Sequence, residues 1–153
     1  MEIITEYLLP CLWAFLACMG FCVLYEIHGF GMVLCSLGGS VGWLTYLLVQ
    51  AMSGSSGVAA FIAGLVIAGY SEIMARIRKC PASGYLLLAF FPLVPGAGVY
   101  YTMEYYLNGD SLNFAVSARD TLTVAGALAL GVLLVSSLTR MINSRNARRK
   151  ARI

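Results

Sequence analysis

From Tyr7 to Ser71 the chain carries one formally charged side chain, Glu26, beside the imidazole of His28. A fold that faces water needs a charged or polar face on nearly every element, so a run of this kind is stable only against lipid or other protein. The rest of the sequence agrees. Of its 153 residues 60% are hydrophobic and 11% charged, and the mean hydropathy is +0.83. A soluble domain is excluded, and an all-α integral membrane protein is expected, because a helix satisfies its own backbone polar groups in hydrocarbon. The length allows one compact bundle with short loops.

A bilayer core takes about 20 apolar residues per helical crossing. Windows of that size pick out residues 7–25, 31–50, 58–76, 84–107 and 121–142, which predicts a bundle of five transmembrane helices. The breaks carry turn chemistry: EIHGFG, SGSSG, RIRKCPASG and NGDSLN follow the first four spans in order. No repeat of fixed period is visible. Five helices also suit one half of a pseudo-symmetric transporter. The start, MEIITEYLLP, is acidic and lacks the basic region of a cleavable signal, so the first span reads as a retained helix.

Basic residues set the expected orientation, since short loops rich in Lys and Arg stay in the cytoplasm. Arg76, Arg78 and Lys79 mark one such loop, and Arg140, Arg145, Arg148, Arg149, Lys150 and Arg152 mark the C-terminal segment. With five spans both fall on one side, giving an N-outside, C-inside chain with Glu2 and Glu6 outside and EIHG in the cytoplasm. The chain divides into a transmembrane domain, residues 1–142, and a basic cytoplasmic tail, residues 143–153. Arg145, Arg148, Arg149 and Lys150 read as an anchor resting on anionic lipid, at about 1 kcal/mol per basic residue. Nucleic acid is not an expected partner, for no aromatic or folded basic surface accompanies the charge.

Catalytic strings do not survive inspection. Gly38–Ser40–Gly42 satisfies the G-x-S-x-G pattern of a serine hydrolase, with His28 as the sole candidate base. On one helix, twelve residues separate them by about 18 Å, far outside hydrogen-bond reach. Gly38 and Gly42 instead form a GxxxG pair suited to close helix packing. The cysteines at 11, 18, 22, 35 and 80 show no C-x-x-C spacing, and with a single His they read as packing residues and not as a metal site. No cofactor is expected.

The fourth span is the informative one. In AFFPLVPGAGVYYTMEYY, Pro92 and Pro95 withhold donors from the carbonyls of Leu88 and Phe91, and Gly96 and Gly98 loosen the backbone beside them. A proline/glycine-broken fourth helix follows. Either it shapes a packing angle, or it exposes backbone to a solute or ion at membrane depth. Carboxylates near the membrane extend the second reading. Glu72 continues the small-residue stripe Ala60, Gly64, Ala68, which faces another helix; its simpler role is an i, i+4 ion pair with Arg76. Glu104 lies one turn after Tyr100, as a pathway residue or a solvated rim residue. Arg119 and Asp120 open the fifth span, where they neutralise each other.

The stretch KCPASGYLLLAFFPLVPGAGVYYTM, with Pro81 before the fourth span and then Pro92, Val94, Pro95, Gly96 and Tyr100, resembles the threonine/serine exporter family in its small five-helix form. Glu72 with Arg76 and Lys79 matches as well. The resemblance implies a membrane subunit of a secondary exporter of small amino acids, or of dicarboxylates such as succinate, in the cytoplasmic (inner) membrane of a bacterium. It implies a partner too: a larger subunit with five further helices and a cytoplasmic N-terminal domain. Homo-oligomerisation is a further possibility, and a non-transporting scaffold is the alternative function. Pro92, Pro95 and Gly96 would shape the break, Tyr100 would orient a solute, and Glu72 or Glu104 would couple protons. No P-loop is present, so no ATP hydrolysis is expected.

Overall fold

The computed structural model describes the backbone of residues 4–150 and the side chains of residues 5–145. Its helices are α1 (Leu9–Leu24), α2 (Phe30–Ser53), α3 (Ser56–Arg78), α4 (Ala82–Phe90), α5 (Gly96–Leu107) and α6 (Ser111–Lys150), with no strand among the described residues. Pro10 stands in the first turn of α1, where its missing N–H costs least, and the turn before it, Ile4–Leu8, widens to π geometry. Left-handed residues end two of the hairpin helices. Gly54 (φ 65°) closes α2 and returns its N–H to the Gln50 carbonyl at 2.9 Å, and Lys79 (φ 53°) closes α3.

Among the described residues four helices are long and apolar enough to cross a membrane: Thr5–Leu24, Phe30–Ser53, Ser56–Arg78 and Ser111–Arg145. The expected fourth span is two helical pieces, Ala82–Leu93 and Gly96–Leu107, bent by 49°. Counted as one broken span they make a fifth crossing. The last helix also differs from expectation. It starts at Ser111, ten residues before the apolar window, because Asp110 caps it: Oδ1 accepts the Asn113 N–H at 3.2 Å and Oδ2 accepts the Asn113 amide at 2.6 Å. Its backbone then runs on through residue 150 with no helix break at residue 143. Arg145 is exposed; the side chains of Arg148, Arg149 and Lys150 lie outside the described ones, and Glu2 and Arg152 lie outside the described residues altogether.

α3 is the axis of the bundle, packing on α2, α4 and α6, with α1 against α2. Lipid is as apolar as a leucine side chain, so association within the membrane depends on close packing and polar contacts and not on burial from water. Small residues supply that closeness. Ala60, Ala63, Gly64 and Ala68 of α3 are buried, and a Cβ on Gly64 would lie 2.9 Å from the Leu128 carbonyl of α6. Reciprocally, a Cβ on Gly131 would lie 2.5 Å from the Phe61 carbonyl. Gly38 and Gly42 of α2 are buried also. A Cβ on Gly38 would press the Tyr70 ring at 2.7 Å, and one on Gly42 would collide with Ile67. The Tyr70 hydroxyl crosses back to donate to the Leu34 carbonyl at 2.7 Å.

Candidate solute cleft at the broken span

The break begins where Pro92 has no N–H for the Leu88 carbonyl. That carbonyl is not left bare, because the Cys18 thiol of α1 donates to it at 3.3 Å. The Phe91 carbonyl, which Pro95 cannot serve, accepts the Val94 N–H at 3.3 Å in a tight 3-10 turn over Phe91–Leu93. Both carbonyls that the sequence leaves free are therefore satisfied by protein. Gly96 then donates to the Val94 carbonyl at 2.7 Å, and α5 starts with no side chain capping its N-terminus. What the break leaves over is donor capacity at the positive end of a helix.

Its depth follows from its neighbours. A Cβ on Gly39 would meet the Pro92 ring at 3.4 Å, and one on Gly42 would meet Leu93 at 3.4 Å. Those glycines lie midway along α2, so the break is at the middle of the bundle. Leu93 is buried and Phe21 stacks on Phe91 at 4.0 Å, with 5° between the rings, so protein covers the start of the break, while Val94 and Gly96 beyond it are exposed.

A cleft of about 580 Å³ opens from the break towards the α2–α3 turn. This falls within the roughly 300–1,000 Å³ of small-molecule sites. Pro92, Pro95 and Gly96 form one wall with Ala97 and Gly98. Trp43 and Tyr46 of α2, stacked at 5.5 Å, form another. Ser55 and Ser56 come from the turn, and Arg119, Asp120, Thr121 and Thr123 from α6. The buried Trp43 indole N–H has no hydrogen-bond partner among the described residues. Arg119 and Asp120, expected to neutralise each other, form no ion pair among the described residues. Adjacent positions on a helix point about 100° apart, which keeps the two groups from facing each other.

The other candidates lie elsewhere. Tyr100 is 66% exposed, sits edge-on to Tyr101 at 5.5 Å and does not line the cleft. Glu104 is exposed further along α5. Glu72 is half-buried near the opposite end of α3, and Arg76 donates to Asn143 Oδ1 at 3.3 Å and not to Glu72. Ser40 Oγ donates to the Cys11 carbonyl at 3.1 Å, while His28 Nδ1–H donates to the Glu26 carbonyl at 2.7 Å. Nucleophile and base are occupied apart from each other, which disposes of the hydrolase arrangement.

Several contributors escaped sequence reasoning. Cys18 is 70 positions from the carbonyl it serves, and nothing local announces the pairing. Nothing local in the sequence sets Trp43 apart from the apolar residues around it. The hydroxyls of Thr102 and Ser117, 2.8 Å apart, belong to a ladder between α5 and α6 that the Ser117, Thr121 spacing hints at.

Apolar helices around one span broken at mid-depth, with a solute-sized polar cleft at the break, define a multi-pass membrane protein of the transporter class. The chain belongs to the threonine/serine exporter family: the sequence model described as "Threonine/Serine exporter, ThrE" matches residues 10–138, which include the break and every wall of the cleft. No curated protein and no solved structure matches the chain. The family is one of transporters and not of enzymes.

Proposed function

We propose that the chain is the membrane subunit of a secondary exporter of small hydroxylated amino acids, threonine and serine, working by alternating access with a larger five-helix partner. Family membership supports the solute class. The single observation that carries the mechanism is the uncapped N-terminus of α5 lining a cleft with serine, threonine and both signs of charge. A carboxylate suits the helix terminus, and hydroxyls suit a hydroxylated side chain. Dicarboxylate export is the second reading, kept because an anion site would serve it also. On this proposal the protein resides in the bacterial inner membrane with the N-terminus and the Asn108–Asn113 turn outside, and the basic C-terminal segment holds anionic lipid on the inside. Labelling of introduced cysteines then reaches position 111 from outside the cell and spares position 144; the reverse pattern overturns the orientation.

The decisive experiment removes the break. Pro95→Ala with Gly96→Ala restores helix propensity, by about 3 and 1 kcal/mol respectively. A Cβ on Gly96 meets nothing within 4 Å, so the change is sterically free there. The expected result is a subunit that inserts and assembles but loses most threonine flux. Full flux from a correctly assembled double variant refutes the proposal. Loss of assembly with unchanged flux per complex favours a scaffold. Glu72→Gln, which removes charge at constant size, is expected to slow flux if Glu72 couples protons, and unchanged flux removes it from the pathway.

A further inference from the structure

We infer that Arg119 and Asp120 are the charge-reading pair of the cleft: Asp120 receives an ammonium group and Arg119 a carboxylate, so the site takes zwitterions ahead of dicarboxylates. This rests on the cleft being the solute site. Three observations lead to it. Both residues line the cleft beside the first turn of α5. Both residues are exposed at the cleft, and neither side chain has a hydrogen-bond or ion-pair partner among the described residues, so neither charge is spent on the fold. A Cβ on Gly57 would touch Thr123 at 3.0 Å, which puts this part of α6 level with the α2–α3 turn, at the cleft mouth.

The chemistry is selective because the two charges are opposite and are not paired with each other in the structure. A zwitterion brings one group of each sign to two sites of opposite sign. A dicarboxylate brings two anions to a single guanidinium and meets repulsion from Asp120. The uncapped terminus of α5 favours a carboxylate on its own side of the cleft, leaving Asp120 for the ammonium. No other charged side chain among the described residues lines this cleft.

Group deletion in the solute, paired with charge deletion in the protein, tests the assignment. Radiolabelled L-threonine is bound at equilibrium to permeabilised membranes containing the full-length chain together with its larger partner subunit, and competed with 3-hydroxybutyrate, which lacks the ammonium, 1-amino-2-propanol, which lacks the carboxylate, or succinate. Asp120→Asn should weaken threonine and aminopropanol about tenfold or more while sparing hydroxybutyrate. It should also strengthen succinate, and Asp120→Glu should restore the original order. Arg119→Gln should weaken threonine and hydroxybutyrate and spare aminopropanol. Equal effects on all competitors, or none, overturn the charge assignment while leaving the cleft as the solute site, as would be the case if Asp120 merely balanced the terminus of α5. If wild-type membranes bind no more threonine than membranes without the chain, the cleft reading itself falls.

Discussion

α3 and α5 are both apolar helices, and they are held in opposite ways. α3 buries Ala59, Ala60, Ala63, Gly64, Ile67, Ala68, Ser71 and Ala75 between three neighbours, while α5 buries no residue at all and packs on α6. α3 is fixed by backbone approaching backbone. α5 is fixed by hydroxyls: Thr102 Oγ1 donates to the Gly98 carbonyl at 2.7 Å and meets Ser117 Oγ at 2.8 Å. Further along, Tyr106 and Phe114 lie 5.6 Å apart. Few contacts, and polar ones, mark a segment of low local stability. On the proposed mechanism the arm beyond the break would be the part that moves while the bundle below it stays intact.

The comparison breaks most visibly at the α3–α6 contact. Gly131→Leu should cost more than about 3 kcal/mol, because overpacking there strikes main chain and not a side chain that can turn away. Thermal melting followed by size-exclusion in detergent would show loss of the folded peak. Gly126→Leu on the same helix, where a Cβ meets nothing within 4 Å, should stay within about 0.5 kcal/mol of wild type. Cys18→Ala comes next: it strands the Leu88 carbonyl at a cost of about 1–3 kcal/mol, and Cys18→Ser, which keeps a donor, should recover much of it. Thr102→Val should cost only about 1 kcal/mol by the same assay. A loss as large as that of Gly131→Leu would mean that α5 is as firmly packed as α3. The smallest effect is expected at Asp110, whose carboxyl is held below its ordinary value chiefly by hydrogen bonds from the Asn113 side chain and backbone. A depressed acid contributes stability above its unfolded pKa and loses it as pH falls through the folded value. Protection against hydrogen exchange at the first turn of α6, taken relative to the intrinsic rate at each pH, should fall in acid, and Asp110→Asn should remove most of that dependence.

Much of this architecture was legible in the sequence because charge scarcity and turn residues are local signals. The hairpin turns fall where SGSSG and RIRKCP stand, and the fourth span is broken at Pro92 and Pro95. The start of α6 was misplaced because a hydropathy window sees lipid compatibility, whereas Asp110 starts the helix by capping it in water. The site was half legible. The prolines announced a break, but not that Cys18 would satisfy its carbonyl, nor that Trp43 and Asp120 would meet in one cleft, for those contacts depend on how helices distant in sequence lie side by side. Tyr100 and Glu104 follow the break in sequence, yet α5 carries them past the cleft.

α6 is 40 residues long, about 60 Å at 1.5 Å per residue, and exceeds what a bilayer core of about 30 Å needs. Gly131, the residue pressed against the backbone of α3, lies at its midpoint. On the proposed alternating-access mechanism the helix would act as a lever with its fulcrum inside the bundle. Arg119 and Asp120 ride on one arm, and Asn143, joined to Arg76, rides on the other. A tilt of about 5° about that fulcrum carries the two tips in opposite directions by about 2–3 Å each. Opening on one membrane face and closing on the other would then be a single motion, in antiphase by geometry alone.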